Sequence, residues 1–134
     1  MKVFIDSSTL FSAAYAKGSV PYLAFAKAVE PPYHGLICEQ NLEEIRRAFK
    51  RKLPEKTEAL EQFITAALSV VEIVPIPPSR HPDKGRIRDI DDRPILRAAI
   101  EAGADIIVTG DKDFLESGLD SPKRMTAADF IQQL

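Results

Sequence analysis

Residues 88–115 read RDIDDRPILRAAIEAGADIIVTGDKDFL, and this stretch decides the fold. A helix beginning near Asp91 would carry Ile95, Leu96, Ala99 and Ile100 on one stripe, and at 3.6 residues per turn Asp92 shares that stripe. Gly103 is a good C-terminal cap, and Ala104-Asp105-Ile106-Ile107-Val108-Thr109 then reads as a strand buried on both faces, the kind found in parallel sheets. Gly110-Asp111-Lys112-Asp113 follows its carboxyl end, where open α/β sheets bind their ligands. Two acids from one element and two from the next are expected at one edge.

Working outward, Lys2-Val3-Phe4-Ile5 predicts a strand ending at Asp6-Ser7-Ser8-Thr9, all helix-capping types. A helix over Leu10 to Lys17 closes at Gly18, and a second starts at Pro21 and stops near Val29, before Pro31-Pro32. Gly35 to Cys38 is a second strand. From Asn41 a helix buries Leu42, Ile45 and Phe49, and from Pro54 another runs through Leu68 with Leu60, Phe63, Ile64 and Ala67 inward. Val70 to Val74 is a third strand, and Pro75 to Arg86 is a surface loop. Lys123-Arg124-Met125 is a last strand, and Thr126 caps a helix ending at Leu134. The alternation favours parallel pairing with right-handed crossovers.

A chain of 134 residues suits one domain spanning 1–134. No apolar run reaches membrane-spanning length and the first residues lack signal-peptide character, so the expected location is cytoplasmic. Lone Cys38, between apolar neighbours, reads as a packed thiol rather than a nucleophile. A net charge of -2 gives no global pull on a polyanion, so a nucleic-acid partner would need a local basic patch or bound metal.

Each acid has a bland alternative. Asp6 could be a helix N-cap, or an acid at the switch point of the sheet. Glu44 lies at the margin of the Leu42, Ile45, Phe49 stripe while Glu43 lies nearly opposite, so Glu44 is the inward candidate, although both could be solvated. Of Asp91 and Asp92 one can cap the helix, but Asp92 on an apolar stripe needs a compensating cation. Asp111 and Asp113 could cap a short helix around Phe114. Taken together, Asp6, Glu44, Asp92, Asp111 and Asp113 at one sheet edge exceed what capping requires.

Like charges in one cleft are tolerable when they share hard cations, and carboxylates without His or Cys partners suit Mg²⁺ or Mn²⁺. Such ions, when paired about 3.5–4 Å apart, activate water and stabilise the leaving oxygen in phosphodiester hydrolysis. His34 and His81 read as surface residues. Arg46, Arg47, Lys50, Arg51 and Lys52 cluster on the outer side of the Glu44 helix, and Arg80, Lys84, Arg86, Arg88, Arg93 and Arg97 flank Asp92. They are either a solvated face or phosphate contacts, the RNA-binding candidates being Arg46, Arg47, Lys50, Arg88, Arg93 and Lys112.

VFIDSSTLFSAA, NLEEIRRAF, DDRPILRAAIEAGADIIVTGDKDFL and MTAADFIQQL together resemble a PIN domain, the fold of metal-dependent ribonucleases that include VapBC-type toxins. Ser8 stands where many relatives have Asn. The resemblance implies a three-layer α/β/α fold with a central, mainly parallel sheet of four to five strands. It implies Mg²⁺- or Mn²⁺-dependent endoribonuclease activity, a homodimer, and often a small antitoxin partner. On it, Asp6, Glu44, Asp92 and Asp111 bind metal, Asp113 assists, and Ser8, Asp91 and Thr109 orient them. A rival is a catalytically weak PIN-like module that binds RNA or an antitoxin. A Toprim-like site fits less well, because it calls for a glutamate where Asp6 stands, and a phosphoaspartate receiver lacks a convincing Asp and Lys pair.

Overall fold

The strand Lys2–Ile5 (β1) sends Val3 and Ile5 to one side and Phe4 to the other, all fully buried, and that alternation sets up two separate cores. In the computed structural model, which describes residues 1–79, 93–118 and 121–133, β1 lies at the centre of a five-stranded, all-parallel sheet. The other strands are His34–Ile37 (β2), Glu72–Ile73 (β3), Ile106–Val108 (β4) and Lys123–Met125 (β5), in the order β3-β2-β1-β4-β5. The chain builds outward from β1 on one side and then crosses to β4 on the other. The switch point of the sheet therefore falls between β1 and β4.

Seven helices flank the sheet among the described residues: Ser7–Tyr15 (α1), Val20–Ala28 (α2), Glu39–Lys52 (α3), Thr57–Leu68 (α4), Pro94–Glu101 (α5), Lys112–Leu115 (α6) and Ala127–Gln132 (α7). On one face Val3, Ile5, Ile106 and Val108 meet Leu10, Phe25, Phe49, Ile64 and Phe130 from α1, α2, α3, α4 and α7. On the other, Phe4, Leu36 and Ile107 meet Ile95, Leu96, Ala99 and Phe114 from α5 and α6. This is the three-layer α/β/α arrangement. Burying one side chain such as Phe4 from both neighbours contributes roughly 1.5–3 kcal/mol, so both cores tie β1 firmly in place.

Several boundaries differ from the sequence reading. The helix expected from Asp91 begins at Pro94, because a residue before proline is driven out of the helical region, and Arg93 accordingly has φ -65 and ψ 140. The expected positions of Asp91 and Asp92 lie outside the described residues, as do Arg80, His81, Lys84, Arg86 and Arg88. Ile100, expected inward, is 43% exposed, since the inward arc is filled by Ile95, Leu96, Ala98 and Ala99. The third strand shrinks from Val70–Val74 to an exposed two-residue edge, although the Val74 N–H still donates to Ile37 O at 2.8 Å. The first helix begins at Ser7 rather than Leu10, and α3 begins at Glu39 rather than Asn41.

Candidate active site

Parallel pairing of Ile5 with Val108 carries the chain ends of β1 and β4 to the same edge, so Asp6 and Thr109 emerge side by side. The Thr109 hydroxyl donates to Asp6 Oδ2 at 2.7 Å, and the Ser8 hydroxyl donates to the same oxygen at 3.3 Å. Both hydroxyls are themselves held. The Asp111 N–H donates to Thr109 Oγ1 at 2.9 Å, and the Gly110 N–H donates to Ser8 Oγ at 2.9 Å. Backbone donors from the β4 turn thus fix two hydroxyls that fix one carboxylate.

Asp6 is only 4% exposed. Burial raises its carboxyl above the ordinary value of 3.8; the Thr109 hydroxyl, the Ser7 backbone and the Ser8 hydroxyl pull it down, and the negative charge of Asp111 adds to the rise. Its side chain makes no capping hydrogen bond to α1. The capping explanation for this residue is thereby removed, and a buried anion with a second anion nearby is left.

Asp111 does cap. Its Oδ1 accepts from the Asp113 N–H at 2.8 Å, opening α6, while Oδ2 faces Arg93 Nη1 at 3.5 Å. Arg93 Nη2 also reaches Asp113 Oδ2 at 2.9 Å, and its guanidinium carbon stands 5.5 Å from the Phe114 ring centre. Asp113 is the more exposed of the two acids, in keeping with a place at the rim.

The opposite wall comes from α3. Glu44 is half-buried and accepts from Gln40 Nε2 at 3.1 Å, whereas Glu43 points to solvent. Wholly buried Asn41 anchors this end of the helix: its Oδ1 accepts from the Cys38 N–H at 2.8 Å and its Nδ2 donates to Ser7 Oγ at 2.9 Å. Asn41, Gln40 and Ser7 escaped the sequence reading. With α3 starting at Glu39 rather than Asn41, Asn41 is its third residue, where a side chain can reach back to the capping N–H. Asp6, Glu44 and Asp111 all line one cleft of about 230 Å³, with Gln40 and Arg93.

A family model described as a PIN domain matches residues 2–113, well over half of the chain. The chain belongs to the PIN-domain family. PIN domains are generally nucleases that use divalent metals, so the cleft belongs to a nuclease-type fold. Comparison with curated proteins finds no significant match.

The donor set of this PIN domain fits a hard divalent ion: oxygen ligands from Asp6 and Asp111, a buried carboxylate with no cation paired to it among the described residues, and a guanidinium beside Asp111. Among the described residues no three acids, histidines or cysteines stand close enough to hold one ion, and the third ligand expected from sequence, Asp92, lies outside them. Of the expected RNA contacts, Arg46 is taken up by Glu61 of α4 in a two-pronged bond at 2.9 and 3.0 Å. Pairing between neighbouring helices accounts for it. Arg47, Lys50 and Lys112 are exposed, and Arg93 lines the cleft itself. His34 is exposed in β2 beside Glu72, at 2.7 Å, and the Cys38 thiol is pushed up by burial, which makes it a poor nucleophile. No helix among the described residues is long and apolar enough to cross a membrane.

Proposed function

We propose that this PIN domain is a Mg²⁺- or Mn²⁺-dependent endoribonuclease, with Asp6, Asp92 and Asp111 as metal ligands, Glu44 as a further ligand directly or through water, and Asp113 in support. The observation that carries the reading is the buried Asp6 carboxylate, held by Thr109 and Ser8 against its own electrostatic interest and facing a cleft shared with Asp111 and Glu44. A pure anion binder gains nothing from such a cluster. When bound, a divalent ion would supply an activated water and charge stabilisation at the phosphodiester. The chain's own residues would do the rest: Ser8 and Thr109 orient Asp6, and Arg47, Lys50 and Lys112, all exposed, would contact phosphates of the strand.

A homodimer, a small antitoxin partner, a cytoplasmic location and a single domain over residues 1–134 belong to the same reading. The catalytically weak binding module has one observation in its favour, the occupation of Asp111 and Asp113 by Arg93. Incubating purified chain with fluorescent single-stranded RNA, with Mg²⁺ or Mn²⁺ or with chelator, separates the two. Metal-dependent internal cleavage that disappears in Asp92→Asn and Asp111→Asn supports the nuclease. Metal binding without cleavage, or equal cleavage by the folded variants, defeats it.

A further inference from the structure

Arg93 stands at the mouth of the acidic cleft and spans both acids of the turn after β4, reaching Asp111 Oδ2 at 3.5 Å and Asp113 Oδ2 at 2.9 Å. The two oxygens of Asp111 are differently committed. Oδ1 is held by the Asp113 N–H as part of the helix cap, so Oδ2, the oxygen facing Arg93, is the one free to turn toward an ion shared with Asp6. A guanidinium and a divalent cation at one carboxylate oxygen repel each other, so each weakens the other's hold.

The contact is also easily given up. The Arg93 side chain is 44% exposed and its bond to Asp111 is long, features of ion pairs that contribute little. Its backbone is not free: Arg93 precedes Pro94 and caps α5 in an extended conformation, so a change of partner is a rotation of the side chain alone. A guanidinium fork matches a phosphate as well as it matches a carboxylate.

We infer that Arg93 is an exchangeable counter-ion: it neutralises Asp111 and Asp113 in the ion-free chain, releases Asp111 when a divalent cation binds, and is then available to a phosphate of the bound strand. The inference rests on the metal-site reading above. It makes metal affinity and substrate affinity respond in opposite directions to one substitution, which a merely structural arginine does not do.

Three measurements test it. Calorimetry with Mn²⁺ on the whole chain should show Arg93→Gln binding roughly two- to five-fold more tightly than wild type, with Arg93→Lys returning toward the wild-type value. The same Arg93→Gln protein should show a raised KM for single-stranded RNA. In the unaltered protein, the Arg93 Nε–H resonance, identified by its loss in Arg93→Lys, should shift saturably as Mg²⁺ is added. This third readout is taken on the unaltered protein, Arg93→Lys serving only to assign the resonance. Unchanged or weaker Mn²⁺ binding by folded Arg93→Gln, or an Arg93 resonance that stays still at saturating Mg²⁺, overturns the exchange and leaves the nuclease reading standing. Absence of Mn²⁺ binding to any of the proteins overturns both. Mn²⁺ binding and Arg93 release without RNA cleavage sinks the nuclease reading alone.

Discussion

Thr109 Oγ1 lies 2.7 Å from Asp6 Oδ2, joining the ends of the two central strands through one hydrogen bond to a buried carboxylate. Because Thr109 also accepts from the Asp111 N–H at 2.9 Å, the same hydroxyl sets the start of the turn that presents the second acid. Thr109→Val keeps the shape and removes the donor. At neutral pH it should cost about 1.5–3 kcal/mol of stability, the range for hydrogen bonds to charged groups, and push the Asp6 carboxyl further up. Denaturant melts at pH 7 check the first effect, and the acid limb of the pH–rate profile, displaced to higher pH, checks the second.

Asp6→Asn should separate stability from activity. Burial raises the Asp6 carboxyl in the folded chain above its ordinary 3.8. An acid with a raised folded pKa binds its proton more tightly when folded, so its favourable contribution is complete below the unfolded value and fades as pH climbs through the folded one. The metal-free wild type should therefore lose stability as pH rises from below 3.8 toward neutrality in part through Asp6, and Asp6→Asn should lack that component. At pH 7 without metal the variant should melt higher than wild type while losing cleavage by about 10²-fold or more. Thermal melts across pH check it. Mn²⁺ should raise the melting temperature of wild type much more than that of the variant.

Asn41→Ala should weaken the wall that carries Glu44. It leaves the buried Cys38 N–H without the acceptor it now has at 2.8 Å and removes the donor to Ser7. Exposing no new surface and filling no space, the change should cost about 1–3 kcal/mol. Faster hydrogen exchange at the first turn of α3, with the sheet unaffected, is the expected pattern.

Lys27→Met should loosen the far end of the molecule and spare the cleft. The Lys27 ammonium donates to the carbonyl oxygens of Phe130, Ile131 and Gln133, completing the C-terminal end of α7, and stands 4.7 Å from the Phe130 ring centre. Losing a cation there should cost roughly 1–2 kcal/mol. Proteolysis at the C-terminus should accelerate, and metal affinity should stay the same.

Much of this was legible in the order of the residues. The parallel sheet follows from the apolar strand ending at Thr109 and from the helices between strands, and Glu44 was separated from Glu43 because Ile45 and Phe49 fix which arc of α3 turns inward. Thr126 caps α7 through the Asp129 N–H as its residue type suggests. What was not legible depends on contacts made across the chain. The start of α5 is set by the Arg93-Pro94 junction rather than by the apolar period, which also placed Ile100 inward where it is 43% exposed. Arg46 and Arg93 look alike in a basic run, and only the positions of Glu61 and of Asp111 and Asp113 give them separate fates.

The most direct test of the central claim is a crystal of the chain grown with Mn²⁺ and measured at a wavelength where manganese scatters anomalously. A peak is expected within about 2.5 Å of oxygens from both Asp6 and Asp111, the reach of a hard cation to its carboxylates. Saturating Mn²⁺ with no peak in the cleft, or a peak that touches neither acid, would contradict it.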